Sequence, residues 1–360
     1  MIKGTIKLKD GTTINITDET VVSGSVKYSM STSTGGQFDV GTFNAAKLNI
    51  SIYDEQSAGR EFDTAEITLS EGDTEEALIK TGTYYVDGTQ TDRRGRVVKL
   101  VAYDAATKFD VDIPEEWNGN SYAPEALVEK LCGYIGIELV ADIDFSQFPN
   151  YNVNSAAIGT SKAVQTCRDI VMWTCRQICC NAVITRDGKL DFRRAKYTSD
   201  GDGNINVDYT FTADDREDIT FSDIRTYIKY LTAYNGDGAT DYTSAYTSTD
   251  SQSRAAMFVL PENQLLSGLS TLDNINTAWL KYIDGFNQRE IKATVFDGVK
   301  VKLGDTCRFS GGKIDIGRRI IGVVTDITRT YNGKTVLICR APKAVEAELD
   351  TEEGDESNEG

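Results

Sequence analysis

A strand-turn-strand pattern occurs twice in this chain, near either end, and a repeat of that kind narrows the possible folds more than composition does. Residues 82–104, GTYYVDGTQTDRRGRVVKLVAYD, place Tyr84 and Val86 before a polar tip and Val98, Leu100 and Ala102 after it. Alternating apolar residues around a glycine-containing tip predict a β-hairpin. Residues 323–341, VVTDITRTYNGKTVLICRA, follow the same plan. Both fit Asp-x-Thr-x-Thr, a short turn, then Gly-[Arg/Lys]-x-Val-x-[Leu/Ile]. The first set is Asp87, Thr89, Thr91, Gly95, Arg96, Val98 and Leu100; the second is Asp326, Thr328, Thr330, Gly333, Lys334, Val336 and Ile338. Two explanations fit. Amphipathic hairpins converge on outward threonines and a turn glycine, or one supersecondary unit is used twice.

A chain of 360 residues has room for two to four domains and an ample core. Its 40% hydrophobic and 26% charged residues are ordinary for a globular protein. No apolar run reaches membrane-spanning length, and the start, MIKGTIKLKDGTTINIT, reads as a hairpin turning at Asp10-Gly11 rather than as a signal peptide. Folding in the cytoplasm is the expectation. Seven cysteines without regular spacing do not make a disulfide framework.

The formal net charge is −17, and eight of the acids lie in the last seventeen residues. That tail has no apolar period and is expected to be disordered. The acidic body argues against phosphate-tracking nucleic-acid binding, which needs clustered Lys and Arg. There is no histidine. This excludes Ser-His-Asp and Cys-His nucleophilic machinery and imidazole metal sites, although paired carboxylates stay available for hydrolysis.

Along the chain, residues 1–110 read as short strands separated by Gly, Asp and Ser turns, the pattern of a barrel or sandwich. From IPEEWNGNSYAPEAL the character changes. Pro124 suits the first turn of a helix, with Leu127, Val128, Leu131, Cys132 and Ile135 as its apolar stripe. A second, well-buried helix is predicted from about Ser161 to Cys180, followed by a hairpin on Asp187-Gly188. Strand character returns from about residue 205, interrupted by a predicted helix at 275–286.

Among chemical candidates, Cys167, Cys175, Cys179 and Cys180 lack a second paired cluster to complete four thiolate ligands, so core packing is the better reading. DGDGN at 200–204 opens like a calcium loop, but Ile205 and Phe211 occupy the positions that need Gly and a closing acid. NGDGATD at 235–241 reads as a hairpin tip. Glu115 and Glu116 beside Trp117 suggest sugar chemistry, yet adjacent strand residues point oppositely and would not flank one bond. No catalytic, cofactor or metal site is expected.

Taken in order, an early β region ending in GTYYVDGTQTDRRGRVVKLVAYDAATKFD, a helix-containing insert, VKLGDTCRF, and IIGVVTDITRTYNGKTVLICR resemble the tail or baseplate hub proteins of phages and contractile injection systems, the group that includes late control protein D. The resemblance spans roughly residues 20–342. It implies an α+β, mainly β fold with two tube-like β-barrel domains and inserted α/β and mixed domains. The boundaries expected are 1–110, 111–200, 201–287, 288–342 and an acidic tail at 343–360. It further implies a homotrimer that joins a hexameric tail tube to a trimeric spike or fibre at the virion tail tip, with distal tail and baseplate proteins as partners and no sequence-specific nucleic-acid contact. DNA would pass an acidic lumen without sticking. Two barrels per chain are the simplest answer to the mismatch between three and six. Arg93, Arg94 and Asn332 at the hairpin tips are the candidate interface residues. The alternatives are a tail-tip peptidoglycan hydrolase, disfavoured because the chain runs from the last barrel into the acidic tail, and a carbohydrate-binding receptor module resting on Trp117 and Tyr122.

Overall fold

The computed structural model describes residues 1–34, 37–38, 41–54, 60–91, 96–159, 166–194, 205–221, 225–234, 239–243, 253–260, 263–266, 274, 277–279, 282, 289–311 and 320–341. The fold is α+β and mainly β. The early strands are β1 (Ile2–Lys7), β2 (Thr13–Thr17), β3 (Lys27–Ser31), β4 (Ser33–Thr34), β5 (Gln37–Phe38), β6 (Lys47–Tyr53), β7 (Glu66–Glu71), β8 (Ile79–Thr91) and β9 (Val97–Tyr103). Helices α1 (Pro124–Ile135) and α2 (Cys167–Gln177) follow, then β10 (Asn181–Ile184) and β11 (Leu190–Arg193). The late strands are β12 (Tyr209–Phe211), β13 (Arg216–Phe221), β14 (Arg225–Tyr234), β15 (Ala239–Thr243), β16 (Ser253–Leu260), β17 (Glu290–Val295), β18 (Thr306–Phe309), β19 (Ile320–Thr330) and β20 (Thr335–Arg340).

Thirteen strands form one sheet, in the order β13, β17, β20, β19, β3, β6, β9, β8, β7, β1, β2, with β18 beside β19 and β12 beside β18. Period-two alternation builds it. In β6, Leu48, Ile50 and Ile52 point inward while Lys47, Asn49 and Ser51 do not. The early strands close over a core that includes Ile6, Ile50, Ile67, Leu69, Val98 and Leu100. The late strands close over a second, with Ile291, Ala293, Cys307, Phe309, Leu337 and Cys339. Gly322 near the start of β19 leaves room for Cys339 and Ile291, since a Cβ there would lie 2.7 Å from Cys339 Cβ and 2.8 Å from Ile291 Cδ1.

One five-strand arrangement occurs twice. In the early half β3, β6, β9, β8 and β7 are successive antiparallel neighbours; in the late half β13, β17, β20, β19 and β18 are. Chain order and sheet order agree strand for strand. Each outgoing ribbon strand carries a register break, at Asp87 in β8 and at Thr325 in β19. An extra residue of this kind is a β-bulge, which bends the strand and raises its twist. The bulges superpose Asp87 on Thr325, one residue away from the Asp87–Asp326 match that the sequence motif suggests. Facing follows the bulge: Val98 and Leu100 are buried, whereas Val336 and Ile338 are half-buried and their neighbours Leu337 and Cys339 take the core positions.

A third core joins α1, α2, β10 and β11 to Phe43, Ala105, Ala106, Phe109 and Leu265, residues outside 111–200. Helix α1 begins at Pro124 and ends at Gly136 (φ 75°), burying Leu127, Val128, Leu131 and Cys132. Thr166 and Asp169 form a capping box that opens helix α2 at Cys167, and positions 161–165 of the helix expected from about Ser161 lie outside the described residues. Ile178 and Cys179 lie beyond its end, with Cys179 at φ 55°. The hairpin on Asp187-Gly188 forms as β10 and β11, with Gly188 at φ 84°. Strands β14, β15 and β16 make a separate small sheet in which Tyr234 faces Ala239 across the 235–238 connection. Of the helix expected at 275–286, positions 277–279 and 282 are helical, as is 274 just before it, and the others lie outside the described residues.

Candidate assembly interface

The two five-strand units meet at a seam within the chain. Past its bulge, β19 pairs with β3: Asp326 opposite Ser31, Ile327 opposite Met30, Thr328 opposite Ser29, Arg329 opposite Tyr28 and Thr330 opposite Lys27. The same edge of β19 takes β18 before the bulge and β3 after it. Asp326 accepts hydrogen bonds from Ser31 Oγ (2.5 Å) and Ser33 Oγ (2.8 Å), and Thr32 donates N–H to the Thr325 carbonyl (2.9 Å). Tyr331 donates its backbone N–H to Val26 O (3.0 Å) and its hydroxyl to Asp18, in the β2–β3 connection. Burial, then the Asp18 carboxylate, push the Tyr331 phenol above its usual range.

At the centre of the seam Arg329 pairs with Glu71 at the end of β7, both side chains about nine-tenths buried. The guanidinium also lies 5.0 Å from the centroid of the Tyr28 ring. Burial in this region, with the Glu71 charge second, raises the Tyr28 phenol well above its ordinary range. Neither Glu71 nor Arg329 stands out by motif. The available signal is that Arg329 takes an inward position between Ile327 and Tyr331, where an apolar residue would ordinarily sit.

Beyond its own bulge, β8 differs from β19. Strand β7 covers one edge of β8 as far as Tyr85, and no described strand pairs the continuation of that edge over Gly88–Thr91. Thr89, Gln90 and Thr91 are exposed there. At the far end of the sheet, β13 pairs with β17 on one side and with no described strand on the other. It exposes Glu217, Asp218, Thr220 and Phe221. Unpaired strand edges are templates for pairing with another chain.

Of the residues proposed from sequence, Asn332 is exposed at the tip of the β19–β20 hairpin, left-handed (φ 53°) as the third residue of the turn that Gly333 N–H closes on Thr330 O (3.0 Å). Arg93 and Arg94 lie outside the described residues, as does the 200–204 segment. Cys167, Cys175, Cys179 and Cys180 are buried free thiols. Burial holds Cys167 up at about 11 and Cys179 at about 12. Among the described residues no group of three His, Cys, Asp or Glu is placed to hold a metal, and no helix is long and apolar enough to cross a membrane. Glu115 to Trp117 form a 3-10 turn rather than a strand. Trp117 is 3% exposed, packed edge-on to Tyr134 (5.7 Å) with Lys130 Nζ 4.8 Å from its centroid, so its ring offers no face for a sugar.

A cavity of about 480 Å³ separates the early sheet from the α/β region, lined by Thr81, Tyr84, Asp104, Arg186, Asp191 and Lys302 among others. Arg186 donates to Val299 O (2.5 Å) and Val301 O (3.3 Å), and Arg193 pairs with Asp191 (2.6 Å). Asp104 ends β9 and caps the 3-10 turn that leads into the α/β region. It accepts N–H bonds from Ala106 and Ala46, each at 3.0 Å. Burial overrides these donors and pushes its carboxyl up to about 7. A carboxyl whose pKa is higher folded than unfolded binds more protons in the native state, so its contribution to stability falls as pH rises between about 4 and 7, by about 1.4 kcal/mol per unit. Asp104→Asn is expected to flatten that slope; urea titrations of both proteins at pH 5 and pH 8 check it.

The seam and the two edges that no described strand pairs are features of a mainly β fold. Solved structures share this fold over nearly the whole chain. The 43 kDa tail protein of prophage MuSo2 from Shewanella oneidensis aligns with TM-score 0.60 at 13% identity, covering 95% of this chain and 99% of that one. A tail protein from Neisseria meningitidis aligns at 0.56 and 12%, covering 96% and 97%. A prophage tail protein from Listeria monocytogenes aligns at 0.56 and 10%, covering 97% and 98%. No family model matches the sequence, and no curated protein matches it.

Proposed function

We propose that this chain is a structural, non-enzymatic subunit of a phage-type tail or baseplate. Three copies form a hub at the tail tip, one face meeting a hexameric tail tube and distal tail proteins, the other a trimeric spike or fibre. The observation that carries this reading is the doubled five-strand unit: two similar surfaces per chain give a trimer six, enough to match a sixfold partner with closed cyclic symmetry. Full-length likeness to three tail proteins supports the same reading. The net charge of −17 suits a channel that lets DNA pass without holding it.

Mixing the purified chain with a hexameric tube subunit and weighing the complex by native mass spectrometry tests the role. Three copies per six tube subunits is the expected ratio. A chain that ignores the tube at every concentration, or that releases soluble fragments from cell walls, would contradict it.

A further inference from the structure

The cavity of about 480 Å³ falls in the size range of small-molecule pockets. Its walls come from three parts of the chain: Met30 and Thr81 in the early unit, Val183 and Arg186 in the β10–β11 hairpin, and Val301 and Lys302 ahead of β18. Met30, Thr81, Arg186 and Val301 also line a smaller void of about 20 Å³, bordered by Tyr28 and Arg329 of the seam. That void has room for one water. Arg186 is half-buried, and both of its hydrogen bonds, to Val299 O and Val301 O, come from Nη2. Nε and Nη1 have no protein acceptor among the described residues. Lys302 directly follows Val301, so two cations converge on one end of the cavity, and neither is in an ion pair among the described residues.

The neighbouring acids do not offset this charge. Glu71 is held by Arg329, and Asp191 by Arg193. Asp305 accepts the Lys302 backbone N–H (2.7 Å) without pairing with either cation. Asp104 accepts two backbone N–H bonds and is pushed up to about 7 by burial. Asp142 and Asp187 are exposed to water, which screens them. Burial, then the Arg329 charge, lowers the Arg186 pKa below its usual range. A part-buried charge without a counter-charge is costly, and an anion relieves that cost. We propose that this end of the cavity binds the carboxylate of a small organic acid. Arg186 and Lys302 hold the oxygens, and the acid's apolar body lies against Met30, Val183 and Val301.

Isothermal titration of the full chain with octanoate at pH 6 tests the site, since the acid is then ionised and Asp104 is mostly uncharged. One octanoate per chain is expected. Octanamide, which lacks the charge, and acetate, which lacks the apolar body, are each expected to bind about tenfold more weakly or worse. Lys302→Gln, at an exposed position, is expected to weaken octanoate binding about threefold while the urea midpoint stays unchanged. Arg186→Gln is expected to weaken it by about tenfold or more. Because Arg186 also holds two backbone carbonyls, the urea midpoint of that variant is measured alongside; if it does not fold, the octanamide comparison and Lys302→Gln decide. Octanoate that shows no saturable binding, octanamide that binds as tightly as octanoate, or an affinity unchanged by Lys302→Gln would overturn the site.

Discussion

Replacing Arg329 with Met is expected to destabilise the chain by about 3–5 kcal/mol, read as a lower urea midpoint. The substitution leaves the Glu71 carboxylate buried without its counter-charge, and its Oε1 already has no hydrogen-bond partner. Stripping one partner from a buried ion pair costs far more than the pair itself contributes, because the remaining charge stays desolvated. The companion test is Glu71→Leu combined with Arg329→Met. Removing both charges is expected to restore most of the lost stability. If the double variant is as unstable as the single one, the loss comes from the seam's packing, including the contact of Arg329 with the Tyr28 ring.

Leu100→Ala and Leu337→Ala are each expected to cost about 2–5 kcal/mol, the range for emptying a fully packed leucine site. Leu100 is 1% exposed and Leu337 is 0% exposed, and they hold equivalent places, opposite Thr89 and Ile327 two residues past each bulge. Because β19 hydrogen-bonds to β3, the two units belong to one sheet, and each substitution is expected to lower the midpoint of a single transition. Two resolved transitions, with each variant shifting one of them, would show that the seam does not couple the halves.

Much of this fold is legible in local pattern. Alternation in β6, β8 and β9, turn glycines at Gly11 and Gly188, and Pro124 before an apolar stripe each announce their elements, since the signal lies within a few residues. The doubled unit was visible as a repeat but in the wrong register. Bulges at Asp87 and Thr325 shift the ribbons by one residue, and two-residue periodicity makes such a shift exchange the two faces. The Asp-Thr-Thr identities therefore mark similar ribbons without marking equivalent positions. The end of α2 differs for another reason: apolar residues continue through Cys180, while the helix itself ends at Gln177 with Ile178 as its cap. The seam was beyond local reading altogether. Glu71 and Arg329 are 258 residues apart, and sequence carries no direct statement that two such side chains meet. The edges at Gly88–Thr91 and β13 that no described strand pairs emerge from comparing the two units, not from either one alone.

Rotational analysis of the purified assembly by electron microscopy tests the doubled unit's purpose most directly. Particles of three times the 39.6 kDa chain mass are predicted, showing a ring of six similar lobes around a central opening. A three-lobed particle without sixfold features, or single chains at every concentration, would contradict it.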